Sequence, residues 1–171
     1  LVPNSPGNIS LSGSGSSRTL TINPAANAVG STTITLTVTD TVNATSHSMT
    51  DTFVLTVNPI ADTPSGTNAT TNEDTQSASG LVLSRNIADG AEVTHFGITG
   101  LTNGTLFLAD GTTPVPNGSF ITFAQGNAGL KFTPALNLFS PGTSFGFSVT
   151  AALSGAGAGL SPATSIAVTV N

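Results

Sequence analysis

The strongest constraint on this chain is that most of one stretch, Leu20 to Asn58, is written twice. Leu20-Thr-Ile-Asn-Pro-Ala-Ala-Asn27 returns as Leu130-Lys-Phe-Thr-Pro-Ala-Leu-Asn137. Ile34, Leu36 and Val38, alternating with Thr, return as Phe145, Phe147 and Val149. Phe53-Val-Leu-Thr-Val-Asn58 returns as Ile166-Ala-Val-Thr-Val-Asn171. An offset of about 110 residues is the length of one ordinary β-sandwich domain. The duplication therefore predicts two domains in series within the 171 residues.

The alternation inside the repeats selects strand over helix. Apolar residues recur at every second position, which places them on one face of an extended chain. Helix signals are nearly absent. The first half predicts strands near Ile9–Ser12, Arg18–Asn23, Thr32–Thr39 and Thr52–Val57. The second predicts them near Leu81–Ser84, Glu92–Thr99, Thr105–Ala109, Phe120–Phe123, Leu130–Thr133, Ser144–Ala151 and Thr164–Val170. Asp89-Gly90, Asn103-Gly104, Asp110-Gly111 and Asn117-Gly118 supply residues that tolerate the positive φ of tight turns. Parity sends Phe96, Ile98, Leu106, Leu108, Leu130, Phe132, Phe145, Phe147, Val149, Ile166, Val168 and Val170 inward. Phe107 and Phe139 fall off that parity. Asn58-Pro-Ile-Ala-Asp-Thr-Pro64 carries two prolines that cannot donate to a ladder. Residues 59–64 are thus expected as a stiff linker between 1–58 and a complete sandwich over 65–171.

The first half looks incomplete. Val2-Pro3-Asn4 resembles Val115-Pro116-Asn117, and on that match 1–58 holds only the later strands of a sandwich. Ile34, Leu36, Val38, Phe53, Leu55 and Val57 would then face nothing, at about 1.5–3 kcal/mol for each side chain left wet. Two explanations stand open. The chain is cut from a longer one, or another chain completes the sandwich by supplying strands.

Composition narrows the functions. Charged residues make up 6% of the chain and hydrophobic ones 37%, interleaved with Thr and Ser. That pattern predicts a surface hydrated by hydroxyls and amides. Net charge is −5, with Arg18, Arg85 and Lys131 as the only fixed cations. Phosphate backbones are bound by clustered Lys and Arg, so nucleic acid is not an expected partner. Cys is absent from the sequence, which removes disulfides and thiolate metal sites. No run of about 18 apolar residues occurs, so no membrane span is expected.

The stretches Ile9-Ser-Leu-Ser-Gly-Ser-Gly15, Arg18-Thr-Leu-Thr-Ile-Asn-Pro-Ala-Ala-Asn27, Thr33-Ile-Thr-Leu-Thr-Val-Thr-Asp40 and Asp51-Thr-Phe-Val-Leu-Thr-Val-Asn-Pro59 together carry a resemblance. They resemble the cadherin-like and immunoglobulin-like tandem repeats of very large bacterial surface and secreted proteins. Asn72-Glu-Asp-Thr75 resembles the opening of a further repeat. The resemblance implies an all-β fold of tandem immunoglobulin/cadherin-like sandwiches, the first incomplete at its N-terminus. It implies an extracellular or cell-surface stalk, fibre or adhesin and no catalysis. Such repeats often bind Ca²⁺ at their junctions, which makes Asp40, Asp62, Glu73 and Asp74 the calcium candidates. Pro59 and Ala61 stand where the linker motif would add ligands, and Ala151 replaces the second half's equivalent of Asp40. Turn-capping, solubilising acids are therefore the favoured reading, with no cofactor required.

Other residues carry less. His47 and His95 are isolated and lie at no metal-ligand spacing. Lys131 sits between two inward residues, so parity turns it outward, away from an isopeptide partner. Sequons at Asn8, Asn43, Asn68, Asn103 and Asn117 arise readily in a chain this rich in Asn, Ser and Thr. No Trp or Tyr is present to stack on a sugar. The expected function is that of a structural repeat segment which associates with neighbouring repeats or copies of itself. An adhesin with calcium-stiffened junctions is the alternative, and an enzyme is not expected.

Overall fold

The computed structural model of the protein describes residues 1–40 and 47–171. Strands dominate these residues, with one short helix, so the fold is all-β. The chain divides into two units, Leu1–Pro59 and Ile60–Asn171.

The first unit holds two antiparallel strand pairs. β1 (Ile9–Ser12) and β2 (Thr19–Ile22) set Ile9 opposite Ile22 and Leu11 opposite Leu20. β3 (Gly30–Asp40) and β4 (His47–Val57) pair without a break from Gly30↔Val57 to Asp40↔His47. Residues directly opposite one another share a face. One face of β3–β4 therefore carries Thr32↔Leu55, Ile34↔Phe53, Leu36↔Asp51 and Val38↔Met49. The other carries hydroxyls at every position except Val54, which is 67% exposed, with Ser31–Thr56, Thr39–Ser48 and Thr37–Thr50 oxygens 3.0, 3.1 and 3.4 Å apart. On the apolar face Ile34 is buried, Leu36 and Leu55 are half-buried, and Phe53 is 39% exposed. Val38 and Met49 are 73% and 78% exposed. The residues expected to face nothing are thus covered at Ile34 and left open toward Val38.

The second unit gathers its strands around one core. A five-stranded sheet has the order β11 (Phe120–Thr122), β8 (His95–Thr102), β13 (Phe145–Ala152), β14 (Thr164–Val170) and β6 (Ala69–Thr71). β6 runs parallel to β14, and the remaining neighbours are antiparallel. A three-stranded sheet orders β10 (Pro114–Val115), β9 (Gly104–Phe107) and β12 (Lys131–Pro134). β5 (Ser65–Gly66) pairs with β7 (Leu83–Ser84). Phe96, Ile98, Phe147, Val149, Ile166 and Val168 from the larger sheet meet Leu106, Val115 and Phe132 from the smaller in one buried cluster. The Phe132 and Phe145 rings join edge to face, 6.3 Å between centroids and 84° between planes.

Every residue expected inward in this half is buried except Leu108, which packs partly exposed on the core. Leu108 lies beyond the end of β9, where its amide closes a turn on the Thr113 carbonyl. The expected strand Phe120–Phe123 stops at Thr122, and a five-residue helix α1 (Phe123–Asn127) follows. Thr122 accepts the Gln125 amide while Gln125 Oε1 accepts the Thr122 amide, a reciprocal cap that starts the helix. Residues 60–64, expected within a linker, belong to the second unit. Ala61 is 3% exposed in the core cluster and donates its amide to Gly159, and Pro64 accepts the Thr164 hydroxyl.

Strand pairing also revises how the two halves correspond. Ile9↔Ile22 occupies the place that Leu106↔Phe132 takes between β9 and β12. β1 thus matches β9, and the likeness of Val2-Pro3-Asn4 to Val115-Pro116-Asn117 has no counterpart in the pairing. The β3–β4 register sets Ile34 against Phe53, whereas Phe145, its repeat equivalent, faces Val168. That is a slip of two residues, which leaves facial parity intact. β13 is flanked by β8 and β14 by β6, while among the described residues β3 and β4 are paired in a two-stranded sheet.

Phe132→Ala is expected to lower the unfolding free energy by about 3–5 kcal/mol. Val38→Ala is expected to change it by less than about 0.5 kcal/mol. Urea titrations of the two variants beside the parent check both values.

Candidate functional site

The calcium candidates fall in separate places. Asp40 ends β3 on an exposed position opposite His47 in the first unit. In the second unit, Pro64 meets Thr164 where β14 begins, and Glu73 donates its amide to the Asn171 carbonyl where β14 has ended. Asp62 therefore lies toward one end of β14 and the Glu73–Asp74 pair toward the other, separated by the seven residues of the strand. At about 3.3 Å per residue that is roughly 20 Å, far beyond shared coordination of one ion. Asp74 accepts the Asn137 amide on Oδ1 at 2.9 Å and adopts φ 57°. It acts as a turn acid. Among the described residues no group of three or more His, Asp or Glu comes together to hold a metal.

Asp62 does meet an acid that the sequence reading passed over. Its amide donates to Asp89 Oδ1 at 2.7 Å. Asp89 is 4% exposed, and its Oδ2 is buried with no hydrogen-bond partner. Asn86 binds the two segments together, donating to the Thr63 carbonyl at 3.4 Å and accepting the Ala88 amide at 3.0 Å. A buried carboxylate oxygen without a donor is costly unless a proton or a cation balances it. The signal in the sequence was Asp89-Gly90, which reads equally as a turn pair.

Asp110 shows the opposite environment. It is exposed, and its Oδ2 accepts the Thr113 hydroxyl at 2.6 Å while Oδ1 accepts the amides of Thr112 and Thr113 at 2.9 Å each. The Thr113 hydroxyl first, then the two amides, pull its pKa down from an ordinary 3.8 to about 2. Asp110 also edges a shallow groove of about 320 Å³ with Leu108, Ala109, Ala124, Gln125 and Ala128. The groove brings together little that is reactive.

The histidines and basic residues serve local structure. His95 is half-buried, with Nδ1 2.8 Å from the Thr94 hydroxyl. His47 opens β4 on an exposed position. Arg85 lies 4.2 Å over the Phe123 ring and donates to the Val93 carbonyl. Lys131 is half-buried and donates to the Ala78 carbonyl. Of the sequons, Asn43 lies outside the described residues. The other four side chains are tied to backbone: Asn8 to Asn23, Asn68 to Ala167, Asn103 to Ser144 and Asn117 to Leu101.

No family model matches the chain, and no curated protein matches it in sequence. Among the described residues no helix is long and apolar enough to cross a membrane.

Because the folded Asp110 carboxyl titrates below its ordinary value, its contribution to stability is complete above about pH 4 and disappears as pH falls toward about 2. A carbon-detected NMR titration is expected to place its midpoint near 2. In Thr113→Val the midpoint moves back up toward 3.8.

Proposed function

We propose that this chain is a structural repeat segment of an extracellular bacterial fibre, stalk or surface protein. Its units are immunoglobulin- or cadherin-like sandwiches in series, and it associates with neighbouring repeats or copies of itself. The observation that carries the reading is the β3–β4 pair. One of its faces is a ladder of neutral hydroxyls interrupted by Val54, and the other leaves Val38, Met49 and Phe53 open. An apolar strip on a water-facing strand pair gains free energy when another surface covers it, at about 25 cal/mol per Å². The low density of charged side chains, 6% of residues, supports the same reading, since few charges would have to be desolvated when the strip is covered.

The test is electron microscopy of the purified protein joined to fractionation of the cells that make it. The expected result is ordered linear assemblies, with the protein on the cell surface or in the medium. A dispersed protein confined to the cell interior would overturn the reading.

The alternative is a binding module stiffened by Ca²⁺, and the buried Asp89 oxygen beside Asp62 favours it. Ca²⁺ is bound by carboxylate, amide and main-chain oxygens, all of which the 62–63 and 86–89 segments supply. On this reading millimolar Ca²⁺ raises the unfolding temperature relative to chelator, and Asp89→Asn abolishes the rise. Identical melting curves in calcium and chelator would remove it.

A further inference from the structure

We propose that Ile60–Thr63 is a strap that lifts from the second unit while the rest of that unit stays folded, released by the unfavourable burial of Asp89 beneath it. The inference goes beyond the readings above, for it needs neither a second copy nor a bound cation.

The strap is thinly held. Ala61 is its one buried residue and donates its amide to the Gly159 carbonyl at 3.0 Å. The Asp62 amide donates to Asp89 Oδ1 at 2.7 Å. The Thr63 carbonyl accepts the Asn86 side chain at 3.4 Å, a long and weak hydrogen bond. Ile60 and Thr63 are exposed, and Asp62 is half-buried. Pro64, just past the strap, is anchored differently. It is buried and accepts the Thr164 hydroxyl at 2.7 Å.

Asp89 is what the strap covers. Its neighbours Ile87, Ala88 and Gly90 are exposed, so the turn that carries it lies at the surface. Asp89 is turned under, onto Asp62, with Oδ2 buried and unpartnered. Among the described residues no other buried side-chain oxygen or nitrogen is left in that state. The charged groups around it do not offset it. Asp62 and Glu92, whose amides meet Asp89, are themselves acids. The Arg85 guanidinium is taken by the Val93 carbonyl and the Phe123 ring.

Magnitudes favour opening here and nowhere deeper. Keeping a carboxylate oxygen from water without a donor costs more than the burial of one methyl group returns. Lifting the strap returns Asp89 to water. It gives up Ala61 and three hydrogen bonds that water replaces at little net loss. The packing of Phe96, Ile98 and Phe132 is untouched. Segments held this lightly open on their own, well below the free energy of global unfolding. Opening stops at Pro64. Residues 60–63 then pass into the chain ahead of it, roughly 13 Å of slack at about 3.3 Å per residue. That stretch of chain thus has two lengths, one with the strap down and one with it lifted.

Amide hydrogen exchange, followed by NMR in the presence of a chelator, tests the strap without any substitution. The Ala61 and Asp62 amides are expected to exchange together, at least about 100-fold faster than the Ile98 amide, which donates to the Ser119 carbonyl in the core. Their rates are expected to stay nearly flat in dilute urea, because a local opening exposes little surface. Asp89→Asn keeps an oxygen for the Asp62 amide and removes the buried charge, and it is expected to slow both strap amides at least about ten-fold. Strap amides that exchange as slowly as Ile98 in the parent protein overturn the proposal. Strap exchange that is unchanged or faster in Asp89→Asn overturns the role given to Asp89. Neither result bears on whether the protein forms linear assemblies.

Discussion

Cross-strand matching of apolar with apolar, repeated every second residue, is the interaction on which both units depend. A strand pair has two faces, and a paired backbone settles its hydrogen bonds without settling what covers its side chains. β13–β14 solves both problems. Its edges are taken by β8 and β6, and its apolar face meets the sheet of β9, β10 and β12 through Phe132 and Leu106. β3–β4 carries the same alternation over eleven pairs and settles the hydrogen bonds between its two strands. The second is solved only around Ile34. The contrast between two strand pairs of similar sequence, one enclosed and one open, is where the functional argument begins.

Much of the second unit was legible because parity is a local property. Phe96, Ile98, Phe145, Phe147, Val149, Ile166, Val168 and Val170 could be assigned to one side by counting in twos, and all are buried. What escaped had no period to count. β5, β6 and β10 span two or three residues, too few for an alternation to show. α1 escaped because its apolar residues continue a strand, although Thr122 and Gln125 stood at capping distance. The correspondence of β1 with β9 was also hidden. Pairing partners lie far apart in sequence, and a likeness of three residues, Val2-Pro3-Asn4, outweighed them.

The acids show the same limit more sharply. Asp40, Asp62, Glu73 and Asp74 were singled out by likeness to a repeat pattern, yet the fold spreads Asp62 and the Glu73–Asp74 pair to opposite ends of β14. Asp89 and Asp110 were both read as turn residues followed by glycine. Nothing local distinguishes them. Asp110 faces hydroxyl and amide donors that stabilise its charge. Asp89 is enclosed by the passing of residues 61–63, a contact closed across 27 positions of chain. Burial decides which of two similar dipeptides becomes chemically unusual, and burial is set by the whole fold.

The parallel pairing of β6 with β14 has a mechanical meaning. Val168, Thr169 and Val170 lie beside Ala69, Thr70 and Thr71, and Pro64 is tied to Thr164 where β14 begins. Tension applied between Ile60 and Asn171 would run along these strands. Their hydrogen bonds would then share the load in shear, where a hairpin pulled from its open end gives way one rung at a time. The second unit is therefore arranged to yield abruptly and as a whole, behaving under tension as a link that holds until it breaks.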